Sequence, residues 1–145
     1  MDFYGLGQAL SDGCKIIGLC KERSLRVVQV LHHGLVKCHG GHPYLEGALK
    51  HAGEAYLNGN VSPVAYQHRI GGFSFTSPID AWVLQGNRFR CEQIGSLVLA
   101  TIEPTHGWRS LGSGASLWEA LNNALINRRI EAQPSVSADG VEIRI

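Results

Sequence analysis

With 145 residues, 44% of them hydrophobic and 17% charged, the chain is long enough to bury roughly two thirds of its unfolded surface, and it is too apolar to stay disordered. Its formal net charge is +1, which supplies no overall field to hold nucleic acid or an anionic membrane. No run approaches the roughly 18 apolar residues of a membrane span.

The amino terminus, MDFYGLGQAL, lacks the basic start and apolar run of a secretory signal. Cys14, Cys20, Cys38 and Cys91 are therefore expected to be free thiols of a cytoplasmic protein. Residues 2–10 place Phe3, Leu6 and Leu10 on one side of a short amphipathic helix, stopped by Ser11-Asp12-Gly13. Strands are predicted over 14–20, with a helix running through Gly13 to Cys20 as the alternative there, and over 25–31 and 35–39, these two joined at His32-His33-Gly34. After Gly40-Gly41-His42-Pro43 the spacing of Leu45, Ala48, Leu49, Ala52 and Tyr56 predicts a helix over 44–57, stopped by Asn58-Gly59-Asn60.

A half-buried strand follows over 64–70, ended by Gly71-Gly72. Beyond Phe73–Thr76, two strands over 79–85 and 88–94 are predicted, joined by Gly86-Asn87 as a two-residue hairpin loop. Strands over 97–103 and 108–111 come next. Ser116 and Glu119 have the spacing of a capping box, and the helix they open buries Leu117, Ala120, Leu121, Ala124 and Leu125. Arg128 and Arg129 suit its C-terminal end. A last hairpin is predicted from 130–136 and 141–145 around Asp139-Gly140.

Residues 24–52 and 96–124 align without a gap at an offset of 72, and seven of the 29 positions are identical, against roughly two for unrelated stretches of average composition. The pairs are Ser24/Ser96, Leu25/Leu97, Gly40/Gly112, Leu45/Leu117, Ala48/Ala120, Leu49/Leu121 and Ala52/Ala124. The expected class is α+β, an antiparallel sheet with two pseudo-repeated strand-strand-helix units. Residues 1–72 form the first unit and 73–145 the second. Units of this size are marginal alone, so they are expected to share a core or continue one sheet.

From Gly112 to Ala124, GSGASLWEALNNA, the chain resembles the strand-to-helix junction of HicB-like antitoxins, a family that shares its α-β-β-β-α order with double-stranded-RNA-binding domains. The first half is similar, with Gly40-Gly41 and Leu45-Glu46-Gly47-Ala48-Leu49 at the same junction. The resemblance implies that fold and a possible link to nucleic acid. The RNA-binding family meets phosphates with lysines in the first turn of its second helix, whereas Tyr44, Leu45 and Glu46, and Ser116, Leu117, Trp118 and Glu119, stand here. Nucleic acid is accordingly not the expected partner.

Cys38-His39-Gly40-Gly41-His42 brings a thiol and two imidazoles together in sequence, the residue types of a zinc or thiol centre. The spacing fits no standard zinc module, and in a strand Cys38 and His39 point to opposite faces. Neither Cys91 with His68 or His106, nor Ser113 in Gly112-Ser113-Gly114, completes a nucleophile pattern. Arg88 and Arg90 share one strand face, opposite Phe89. With Arg69, Trp82, Trp108 and Arg109 they can form an aromatic and basic surface for a base, a nucleotide or a phosphate.

The function expected from the residues is a non-catalytic binding module for a protein partner or a small polar, nucleotide-like ligand, active as a homo-oligomer. His39, His42, Arg88, Arg90, Trp108 and Arg109 are the candidate binding residues. No catalytic residue, metal or cofactor is assigned. The alternatives are a metal- or thiol-dependent enzyme centred on Cys38, His39 and His42, and a nucleic-acid-binding protein.

Overall fold

The computed structural model describes residues 3–21, 25–59, 77–132, 135–136 and 142–143. The chain is α+β. Its first half runs α1 (Tyr4–Ser11), β1 (Lys15–Lys21), β2 (Leu25–His32), β3 (Leu35–His42) and α2 (Leu45–Asn58). The second runs α3 (Pro78–Leu84), β4 (Arg88–Ile94), β5 (Leu97–Glu103), β6 (Ser110–Gly114) and α4 (Leu117–Ala132), followed by the short strands β7 (Ser135–Val136) and β8 (Glu142–Ile143). Six strands form one antiparallel sheet in the order β3-β2-β1-β4-β5-β6.

Two rows of side chains cross that sheet on its inner face. One runs Cys38, Val30, Ile16, Cys91, Ala100, Gly112; the other runs Gly40, Val28, Gly18, Phe89, Ile102, Ser110. Strand alternation puts both rows on the same face, and all twelve residues are buried. The absent side chain at Gly40 lets α2 approach: a Cβ there would fall 2.3 Å from Ala52 N and 2.7 Å from Ala48 O. At Gly112 it would fall 2.1 Å from Ala124 N and 2.6 Å from Ala120 O. Both second helices therefore lie on the inner face, seated at positions 72 residues apart. α1 joins them through the close approach of Gly5 to Gly53, and α3 through Asp80, which pairs with Arg26 of β2.

The halves meet at β1 and β4, where Ile16, Ile17 and Gly18 pair with Cys91, Arg90 and Phe89. β2 pairs with β3, and β5 with β6, in registers that match at an offset of 72: Val28 faces Gly40 as Ala100 faces Gly112.

Several sequence expectations change. Residues 79–85 are not a strand but part of α3. Ser77 Oγ accepts from Asp80 N at 3.2 Å, and Pro78 occupies the first turn, where its fixed φ and missing N–H favour a helix start. The Gly86-Asn87 turn thus joins a helix to β4 rather than two strands, and each half opens with a helix. The strand expected over 108–111 is β6, shifted to 110–114, so Gly112 and Gly114 are strand residues; β3 likewise continues through Gly40 and Gly41 to His42. α4 runs to Ala132, so 130–132 are helical rather than the start of the predicted terminal hairpin; among the described residues that hairpin is seen as the pairing of β7 with β8. The expected strand over 64–70, and Phe73–Thr76 after it, lie outside the described residues.

Candidate functional site

β4 and β5 pair so that Arg88 stands opposite Glu103 and Arg90 opposite Thr101. Arg88 and Arg90 thus emerge on the face away from the helices, while Phe89 between them is buried. Arg109, just before β6, reaches the same place. The three guanidiniums surround one carboxylate: Arg88 lies 3.3 Å and Arg109 3.9 Å from Glu103 Oε2, and Arg90 lies 3.5 Å from Oε1. The Glu103 side chain is 11% exposed, whereas the arginines are 41–68% exposed.

The loop that carries Arg109 is held at two points. Asn87, itself buried, donates from Nδ2 to Trp82 O at 2.9 Å and accepts from Thr105 N at 3.0 Å. From α4, Arg128 Nη1 donates to Trp108 O at 2.9 Å, and its guanidinium lies beside Gly107. Gly86 and Gly107 adopt φ of 95° and 101°, a backbone that a side chain disfavours. Between these turns opens a cleft of about 470 Å³ lined by Gly86, Arg88, Glu103, Pro104, Thr105 and Arg109.

Exposed ion pairs of this kind contribute about 0–1 kcal/mol each, too little to explain the cluster by stability. Chemically it is a surplus of guanidinium donors around a single acceptor. Each guanidinium offers five N–H groups in a planar fork suited to carboxylate or phosphate oxygens.

Of the six candidate binding residues, Arg88, Arg90 and Arg109 come together. Trp108 adjoins Arg109 in the chain and is 66% exposed. His39 lies on the same face of the sheet, in the row His39, Gln29, Ile17, Arg90, three strand spacings or roughly 14 Å from Arg90. His42 is on the inner face and buried. Its Nδ1 accepts from Tyr44 N at 3.0 Å, and its ring packs on Gly47, where a Cβ would fall 2.3 Å from the imidazole. The ring of His51 stands 5.5 Å away, edge-on, with Nδ1 2.8 Å from Gly41 O. Arg69 lies outside the described residues, and Trp82 is a core residue of α3.

Cys38 and His39 point to opposite faces. Burial pushes the Cys38 thiol up to about 11, and its sulfur is directed at Ala52 O, a setting that opposes thiolate chemistry. Among the described residues no three His, Cys, Asp or Glu side chains gather as a metal site. Glu103, Asn87 and Arg128 were not among the sequence candidates. Glu103 was within reach, because strands over 88–94 and 97–103 with a two-residue turn already place it opposite Arg88.

No protein-family model, characterised protein or solved structure matches the chain.

Proposed function

We propose that this chain is a non-catalytic binding module that takes a small polar ligand through an anionic group, phosphate or carboxylate, at Arg88, Arg90 and Arg109. The observation that carries the proposal is the convergence of three exposed guanidiniums on the one carboxylate of Glu103, at the edge of a cleft large enough for such a group. Trp108, exposed beside Arg109, supports a ligand with a flat ring next to its anion. The test is calorimetric titration with inorganic pyrophosphate and with adenosine monophosphate. Saturable binding is expected for both, weakened by added salt and reduced at least about tenfold in the Arg88→Gln Arg109→Gln variant. Absence of binding at millimolar probe, or equal binding by the variant, overturns the proposal.

A second copy of the chain is the partner we propose for the β1–β2 part of the helix-free face, away from the arginine cluster. Leu19, Leu25 and Leu31 are half-buried there. Sedimentation equilibrium is expected to show a dimer that Leu19→Lys with Leu25→Lys dissociates. A monomer at high concentration removes this reading. The free cysteines fit a cytoplasmic protein, and no described helix is long and apolar enough to cross a membrane.

A further inference from the structure

The two halves treat one corresponding place in opposite ways. In the first half the space between α3, the start of β2 and the start of α2 is closed by charge. Arg26, the second residue of β2, pairs with Asp80 of α3 at 2.6 Å, and Glu46, the second residue of α2, is buried as well. In the second half the second residues of β5 and α4 are Val98 and Trp118. Gly7, eight residues before β1 as Asp80 is eight before β4, takes the place of the aspartate. Loss of the arginine, the aspartate and their ion pair leaves a cleft of about 380 Å³ between α1, β5 and α4, and Gly7, Val98 and Trp118 all line it.

The lining defines what the cleft can hold. No described residue lining it is Asp, Glu, Lys, Arg or His, so nothing there would compensate a charge removed from water. One wall is aromatic, with the rings of Phe3 and Trp118 5.7 Å apart and tilted by 55°. The other edge is polar and uncharged. Ser116 Oγ accepts from Glu119 N, which leaves its O–H to donate. Gln8 Nε2 donates to Asp12, which leaves its carbonyl to accept. The volume falls within the range of small-ligand sites.

We propose that this cleft is a second binding site, specific for a neutral small molecule with a flat heterocyclic ring: the ring packs against Trp118 and its edge hydrogen-bonds to Gln8 and Ser116. It lies at the opposite end of the β4–β5 hairpin from the arginine cluster and does not depend on the reading given to that cluster.

Gly7 supplies the test. A Cβ there would meet nothing within 4 Å, so Gly7→Leu fills the cleft without disturbing the helix. In amide-correlation NMR, adenosine and N-acetyltryptophanamide are expected to give saturable shifts at Gly7, Ser96, Ser116 and the Trp118 indole N–H. Gly7→Leu should weaken the effect at least about tenfold, and Arg88→Gln Arg109→Gln should leave it unchanged. Should Gly7→Leu fail to fold, Ser96→Leu at the exposed cleft edge carries the same comparison. The absence of saturable shifts up to about 10 mM of either neutral probe, or shifts that persist in the filled variant, overturns the proposal.

Discussion

Asp80 of α3 approaches Arg26 of β2 to 2.6 Å, with the two side chains 0% and 4% exposed. The pair joins elements from different halves, 54 residues apart. Removing one partner of a buried pair strands the other charge and costs about 3–5 kcal/mol. Asp80→Ala is expected to lower the urea midpoint accordingly. Arg26→Met combined with Asp80→Leu should recover part of the loss, because neither member of the pair is then left without its partner. A double variant as unstable as Asp80→Ala alone would show that the pair contributes more than mutual compensation.

Gly40 and Gly112 each press backbone against the helix that follows. Gly40→Ala and Gly112→Ala are each expected to destabilise the protein by about 3 kcal/mol, the upper range for overpacking, because the clash is with helix backbone rather than a movable side chain. Gly7→Ala, with open space around the new methyl, should stabilise by about 0.5–1 kcal/mol through lost unfolded-state freedom. Thermal unfolding of the three variants checks the sign at each position.

Legibility in the sequence followed the length scale of the signal. The apolar, β-branched run of 25–31, the strand runs 88–94 and 97–103 and the stripe through Leu45, Leu49 and Ala52 identify strands and helix within a few residues. Gly40 and Gly112 were visible as a repeated pair, but not as strand residues: their need for glycine comes from the facing helix, which sequence alone does not display. Residues 79–85 read as a strand because Gly86-Asn87 resembles a hairpin loop. The stronger local evidence, Ser77-Pro78 followed by Asp80 three residues after the cap, is a helix start. Arg88, Arg90 and Arg109 were found from strand period and composition. The Arg26–Asp80 pair was not, because nothing in a chain of one sequence couples positions 54 apart.

The buried thiols give a pH dependence with a definite sign. Cys38 is held up to about 11 against an ordinary 9.0 by burial, and burial raises Cys91 as well. A thiol raised in the folded state favours folding with its proton on. That contribution is complete below about pH 9 and is lost as pH climbs toward 11. Unfolding midpoints should therefore fall across pH 9–11, and less steeply in Cys38→Ala. At pH 8 a disulfide reagent should titrate Cys20, which is half-buried, well before Cys38 or Cys91, which are 2% and 0% exposed. Rapid modification of Cys38 in the native protein would contradict the burial that fixes the sign.

Leu49 and Leu121, 72 residues apart, are both fully buried in the helices that cover opposite ends of the sheet. Truncation to alanine removes similar apolar volume at each, so Leu49→Ala and Leu121→Ala should each cost about 2–5 kcal/mol. The more informative outcome is how the losses are distributed. The halves are joined along β1 and β4 by Ile16, Ile17 and Gly18 against Cys91, Arg90 and Phe89, and by Asp80 reaching from the second half into the first. Units of this size are marginal alone, so either truncation should lower the stability of the whole chain. Urea curves followed by far-ultraviolet circular dichroism and by tryptophan fluorescence are expected to coincide in both variants. All three tryptophans, Trp82, Trp108 and Trp118, lie in the second half. If the halves instead unfold separately, Leu49→Ala will shift the dichroism transition and leave the fluorescence transition in place.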